Sequence, residues 1–244
     1  MYTDNHEENN DVNIFSLLSF HTDTTIELNS ASLVDSHSPH SSMSKHFDQW
    51  KHDALAENKE DLSRKHSIDD YIVSLIHRIN THHDYYTSSS CSGRTLVFTS
   101  SATVTSSSKS DCQWLYVTHE QADLNAIITC LEQRPAHIDM ISIKFEAFIL
   151  HVICRTLECA KVLMNIALEC GYRNSGLVMS NQGKITLAVR STHALEVPIV
   201  IEGQLSVDSA YIAKVVSIAN EKMTANMAKI DKFRLRVEDK LTTT

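Results

Sequence analysis

Apolar positions change spacing several times along the chain, and each change marks an element. Phe47, Trp50, Ala54 and Leu55 recur every three or four residues, which predicts a helix within Phe47–Glu60. Ile68, Ile72, Leu75, Ile76 and Ile79 line a second helix. Ser67 is placed to cap it, with Asp69 and Asp70 near its positive end. The β-branched and aromatic runs Thr95–Thr99 and Gln113–Thr118 predict strands, and the Ser- and Thr-rich residues 100–111 between them a loop. Glu120–Gln133 predicts a helix ended by Pro135. Ile141–Arg155 is long, apolar and β-branched, so two strands or one bent strand are expected. Leu157–Cys170 carries a helical stripe between a capping Thr156 and Gly171. Tyr172–Ser180 and Lys184–Ser191 flank Asn181-Gln182-Gly183, a hairpin turn, and Glu196–Ile201 predicts another strand. Asp208–Val237 predicts a long helix with Tyr211, Ile212, Val215, Val216, Ile218 and Ala219 on its apolar side. The expected fold is α/β, of the α+β kind: a mixed β-sheet domain with flanking helices.

Composition narrows the classes. The 244 residues are long enough for a real core. No apolar run is long enough for a membrane helix, and Met1–Asn10 has neither a basic start nor an apolar stretch, so a cytoplasmic protein is expected. The net charge is −8, but residues 1–44 hold seven acids and no Lys or Arg. Removing that −7 leaves −1 for residues 45–244, a nearly neutral body whose cations are free to gather on one face. Residues 1–44, rich in Ser, Asn, Thr and His, are expected to be a mobile extension, with Val12–Phe20 as an apolar island. The domain proper is expected over 45–240. The six cysteines form no Cys-x-x-Cys pair, so reduced core thiols are expected and no metal. Five glycines without Gly-x-Gly-x-x-Gly point away from a Rossmann cofactor domain, and Gly-x-Ser-x-Gly is missing too.

Four segments offer chemistry. Tyr85–Arg94 (YYTSSSCSGR), expected to link a helix to a strand, gathers hydroxyls, backbone N–H groups and one Arg, a set suited to phosphate or carboxylate. Lys144–Arg155 places Lys144, Glu146, His151 and Arg155 in a very apolar stretch, on a solvent face or in a cleft. Gly171–Gly176 and Arg190–Pro198 bring Arg173, Asn174, Ser175, Arg190, Ser191, Thr192 and His193 to strand ends. Val117–Glu120 and Ser191–Ala194 look alike, each with a histidine after Thr at a strand end.

Together, Asp61–Lys65 (DLSRK), Thr87–Arg94 (TSSSCSGR), Trp114–His119 (WLYVTH), Lys144–Arg155, Gly171–Gly176 (GYRNSG) and Leu187–Pro198 (LAVRSTHALEVP) resemble the tRNA wybutosine-synthesising protein 3 family, from about Phe47 to Phe233. Ala147 stands where the family has Pro in Phe-Glu-Pro-Phe, and Ala194 where it has Gly after Ser-Thr-His. The resemblance implies a methyltransferase, not of Rossmann type, that uses S-adenosyl-L-methionine. Its implied substrate is N(4) of the wybutosine precursor, at the guanosine beside the anticodon of phenylalanine tRNA. Contact with other enzymes of that pathway is a further expectation. A non-catalytic tRNA-binding or scaffold protein on the same fold is the alternative, and a small-molecule enzyme on a related fold a third.

Residue chemistry, not the resemblance, suggests the roles. Ser88, Ser89, Ser90, Ser92, Gly93, Arg94, Asn174, Ser175 and Gly176 are expected at the cofactor. Lys144, Arg155, Arg173, Arg190, Ser191, Thr192 and His193 are expected at the RNA. His151, Glu146 or His119 is expected to orient the base or take its proton, with His193 as a rival. Tyr85, Tyr86 and Tyr172 are candidates for stacking on the base or for the core. All of this requires the polar turns to share one hollow.

Overall fold

The computed structural model describes residues 39–56, 67–100, 113–135 and 138–241. The expected extension up to Ser38, the DLSRK motif and the Ser-rich 101–112 stretch lie outside them. The elements run α1 (Pro39–Leu55), a 3-10 turn (Asp70–Ile72), α2 (Val73–Thr81), β1 (Tyr85–Ser100), β2 (Trp114–Thr118) and α3 (Leu124–Glu132). They continue with β3 (Met140–Cys154), α4 (Leu157–Glu169), β4 (Gly176–Met179), β5 (Ile185–Arg190), β6 (Ala194–Ile201), β7 (Gln204–Leu205) and α5 (Ser209–Lys240).

The strands form one sheet in the order β2-β1-β3-β5-β4, and every pair is antiparallel. This is the α+β fold with flanking helices expected from the sequence. Strand β3 is central. Strand β1 follows it along its whole length. On its other side β3 pairs with β6 over Ile141–Glu146 and with β5 over Ile149–Cys154. Ile141–Arg155 therefore folds as one long strand that changes partner midway.

Burial along β3 changes parity at the same place. Ile141, Ile143 and Phe145 are buried on one side of the change, and Phe148, Leu150, Val152 and Cys154 on the other. Side chains alternate along a strand, so an unbroken alternation would turn one of these sets outward. The switch keeps both under α5. Ile141 and Ile143 pack with Ile127 of α3 and Ile212, Val215 and Val216 of α5. Leu150 and Val152 pack with Leu75 of α2, Leu163 of α4 and Phe233 of α5. One helix thus spans two cores.

The seam between them is plugged by Asn226, 1% exposed. Its side-chain N–H donates to the Ser92 carbonyl (2.7 Å) and its Oδ1 accepts from the Phe148 N–H (2.9 Å). Gly93 makes the plug possible: its φ is +107°, and a Cβ there would stand 2.7 Å from Asn226 Nδ2.

Several expectations shift. Tyr85–Arg94 is strand, not a linking loop. Ser and Thr tolerate a strand whose one face is open, and the neighbouring β3 supplies the ladder. Below Thr95 the free edge of β1 is satisfied by side chains: Asp69 accepts from the Ser92 N–H and Asn80 from the Thr87 N–H. Helix α2 therefore starts later than Ser67 suggests, because Asp69 serves the strand rather than the helix end. Ile68 is 44% exposed and leaves the buried stripe, as do Tyr211 and Ile218 of α5. Thr156 caps α4 by accepting from the Cys159 N–H, and Asp208 caps α5. Tyr85, Tyr86 and Tyr172 are all buried, so they pack the cores and offer no ring to a base. No helix among the described residues is long and apolar enough to cross a membrane.

Candidate functional site

On the face of the sheet away from α5, only its lower end is covered by a helix among the described residues. There Phe47 of α1 packs on Tyr86 (ring centroids 5.4 Å apart) and Ile153. Above it the register lays polar residues in rows across the strands. One row runs Cys91–Ile149–Arg190 and the next Ser89–His151–Ala188–Gly176. Above them Arg94 pairs with Glu146, and Glu146 with Ala194. Adjacent strands lie about 4.8 Å apart, so the shelf from β1 to β5 is roughly 10 Å wide. Residues expected from three separate segments thus meet on one surface.

The contacts on this shelf are specific. Ser89 Oγ lies 2.8 Å from His151 Nδ1, and Arg190 reaches His151 Nε2 at 3.4 Å. Arginine only donates, so Nε2 accepts and the proton of a neutral ring sits on Nδ1, facing Ser89. Burial first, and Arg190 second, hold the His151 pKa below its ordinary value. The Arg190 N–H donates to Ser175 Oγ (3.2 Å), which ties the Gly171–Gly176 turn to the end of β5. Beside them Lys229 approaches Ser191 Oγ at 3.5 Å and lies over the Tyr172 ring. Burial, then Lys229 and Lys222, lower the pKa of His193.

At the opposite rim, where β2 ends, His119 Nδ1 lies 3.2 Å from Asp69 Oδ2 and 3.9 Å from Cys91 Sγ. Burial raises the Cys91 thiol pKa. Asp69, Cys91 and His119 converge as closely as ligands around a cation would, as do His82, His83 and Asp84 near the foot of β1. In the first group Asp69 already accepts twice from Ser92, and His119 faces both Asp69 and Cys91 through Nδ1.

Other expected residues lie elsewhere or are engaged. Ser92 and Gly93 turn toward Asp69 and Asn226 rather than onto the shelf. Ser88 is exposed beside a bulge in β1, and Ser90 is half-buried. Arg94 binds Glu146 at 2.6 Å and stacks over Trp114. Lys144 binds Glu196 at 2.9 Å and Glu146 at 3.5 Å. Burial opposes its charge, but the two carboxylates outweigh burial and raise its pKa. Arg155 is held by Asp48, Asp84 and the His83 carbonyl and lies over Phe47, at the far end of the ladder. Arg173, Asn174 and Thr192 are exposed at the turns. A shallow groove of about 400 Å³ between the β2–α3 turn and α5, lined by Gln121, Asn220 and Thr224, contains none of the expected residues.

Sequence reasoning missed Asp69, read as a helix-end acid, and Asn226, Lys222 and Lys229, hidden in a long helix. A polar Asn at the buried spacing of Met223 and Ile230 was the available signal for Asn226.

The chain is similar to known proteins over most of its length. The family model described as Methyltransferase TYW3 matches residues 49–239. The tRNA wybutosine-synthesizing protein 3 homolog of Danio rerio is 40% identical over 187 residues, 77% of this chain and 72% of the relative. The Homo sapiens homolog is 41% identical over 77% of this chain and 70% of its own length. The tRNA(Phe) 7-((3-amino-3-carboxypropyl)-4-demethylwyosine(37)-N(4))-methyltransferase of Thermococcus sibiricus is 30% identical over 194 residues, 80% of this chain and 95% of the relative. Among solved structures, the PH1069 protein from Pyrococcus horikoshii superposes with a TM-score of 0.70 at 28% identity, over 83% of this chain and 99% of that one.

Proposed function

The chain belongs to the Methyltransferase TYW3 family, and on that premise we propose that its shelf transfers a methyl group from S-adenosyl-L-methionine to N(4) of the wybutosine precursor on phenylalanine tRNA. The protein is a tRNA methyltransferase of the wybutosine pathway. The methyl donor, the phenylalanine tRNA and a cytoplasmic location are our reading. What supports the site is a contrast among its cations. Arg94, Lys144 and Arg155 each hold carboxylates. Arg173, Arg190, Lys222 and Lys229 gather around the β4 and β6 ends with no carboxylate partner among the described residues.

Unpaired cations at one rim suit the anions that both reactants bring, tRNA phosphates and the carboxylate of the donor's methionine moiety. Ser89 and Asn174 add hydroxyl and amide donors, while the Ser175 hydroxyl is spent on the Tyr172 carbonyl, and the donor set still fits the cofactor. When bound, the sulfonium supplies an electrophilic methyl. The residues of the chain must align the ring nitrogen with it, exclude water and remove one proton, since the demethyl base carries a hydrogen where the product carries a methyl. His151 already spends both nitrogens on Ser89 and Arg190, so its role here is to orient Arg190. Glu146 is paired with Arg94 and Lys144. His119 keeps Nε2 without a hydrogen bond among the described residues, and we assign it the proton.

The test is methyl transfer from labelled S-adenosyl-L-methionine to precursor-bearing tRNA. The intact protein should label the tRNA, and Arg190→Ala or His119→Ala should slow labelling at least tenfold while each still folds. Labelling at the wild-type rate in both variants would move the site off the shelf. Binding of tRNA without labelling would favour a scaffold.

A further inference from the structure

We propose that Asp69 is the positioning residue of the methyl transfer, fixing the tautomer in which His119 accepts the proton. The inference rests on the assignment of His119 above. Asp69 is 7% exposed and precedes the 3-10 turn that leads into α2. Its Oδ2 accepts from the Ser92 N–H at 2.8 Å and the Ser92 hydroxyl at 3.0 Å, and it faces His119 Nδ1 at 3.2 Å. The two Ser92 donors anchor the carboxylate, because β1 is itself bonded to β3.

An ionised carboxylate accepts and cannot donate. Facing that carboxylate, a neutral His119 is assigned its hydrogen on Nδ1, which leaves the lone pair on Nε2. Cys91 Sγ approaches the same Nδ1. A nucleophile, base and acid in relay would need the thiol and the carboxylate at opposite nitrogens. The geometry accordingly selects a carboxylate–imidazole pair with an open Nε2, not a cysteine nucleophile. In the transfer the nitrogen's electron pair forms the new N–C bond and the S–C pair stays on sulfur. The N–H proton passes to Nε2, and the resulting imidazolium charge faces Asp69. Among the other imidazoles of the site, His151 is closed at both nitrogens, and His193 sits beside Lys222 and Lys229, which oppose a second positive charge.

Asp69→Asn separates the charge of Asp69 from its shape. The amide oxygen takes the place of Oδ2, which accepts from Ser92 and faces His119 Nδ1, so the contacts are kept while the negative charge opposite the imidazolium is lost. Single-turnover transfer should fall about 100-fold, with tRNA and S-adenosyl-L-methionine affinities changed less than about threefold. Asp69→Asn/His119→Ala should be no slower than His119→Ala, because the two residues act as one unit. Nitrogen NMR of the wild-type protein, which needs no variant to fold, should find the His119 hydrogen on Nδ1. A hydrogen on Nε2, multiplicative losses in the double variant, or one equivalent of zinc lost on Cys91→Ala would each overturn the proposal. If His119→Ala transfers normally, the assignment of His119 is what fails. If it is slow and Asp69→Asn is not, only the role of Asp69 fails.

Discussion

Arg155 and Arg190 stand at opposite ends of the β3–β5 ladder, where Cys154 faces Ile185 and Ile149 faces Arg190. Both are arginines at the end of an apolar strand, and the sequence gives them the same expected role. The structure separates them. The Arg155 side chain is 17% exposed, bonded to Asp48 and Asp84, and stacked on Phe47. It fastens α1 to the sheet. Arg190 is exposed and, among the described residues, its guanidinium touches the His151 ring alone. A cation whose charge is already balanced holds the fold together, whereas one that is left open is available to a reactant.

That contrast can be broken at its hinge. Asn226→Ala unplugs the seam between the two ends and strands a buried C=O on Ser92 and a buried N–H on Phe148. Each unsatisfied group costs roughly 1–3 kcal/mol, so denaturant titration should show a loss of about 4 kcal/mol. Arg190→Ala should slow methyl transfer about 100-fold, or about 2.7 kcal/mol in the barrier, with an unchanged melting midpoint. Arg155→Ala should do the reverse. Losing a half-buried pairing with two carboxylates should cost about 2 kcal/mol of stability, and the folded fraction should keep its activity within about threefold. If Arg155→Ala slows transfer as much as Arg190→Ala without loosening the fold, the distinction drawn here is wrong.

The smallest effect is one of pH. Burial first, and neighbouring cationic groups next, hold the pKa values of His82, His151 and His193 below the ordinary 6.5. The unfolded chain therefore takes up protons before the folded one. Stability is complete above about pH 6.5 and is lost as the pH falls below it toward the folded values. Melting midpoints should drop between about pH 7 and pH 5, and His151→Gln should flatten the drop.

Most elements were legible because their spacing reports burial. The α4 stripe with Thr156 and Gly171, the hairpin around Asn181-Gln182-Gly183 and the α5 stripe all reappear in the structure. The Ser-rich half of β1 was not legible, since hydroxyl residues carry no apolar alternation and owe their conformation to β3. Ser89, His151 and Arg190 could be named from the sequence as polar groups in apolar company. Their meeting depends on a register that no local pattern encodes. Asp69 was visible only as an acid near a helix start, because its partner Ser92 is 23 residues away.

The Asn226 plug also has a bearing on cooperativity. Its carboxamide ties β1 and β3 to a helix that belongs to both cores, so neither half of the sheet can detach without breaking the same pair of bonds. The described region should therefore unfold as one unit, with tryptophan fluorescence and backbone circular dichroism reporting a single coincident transition.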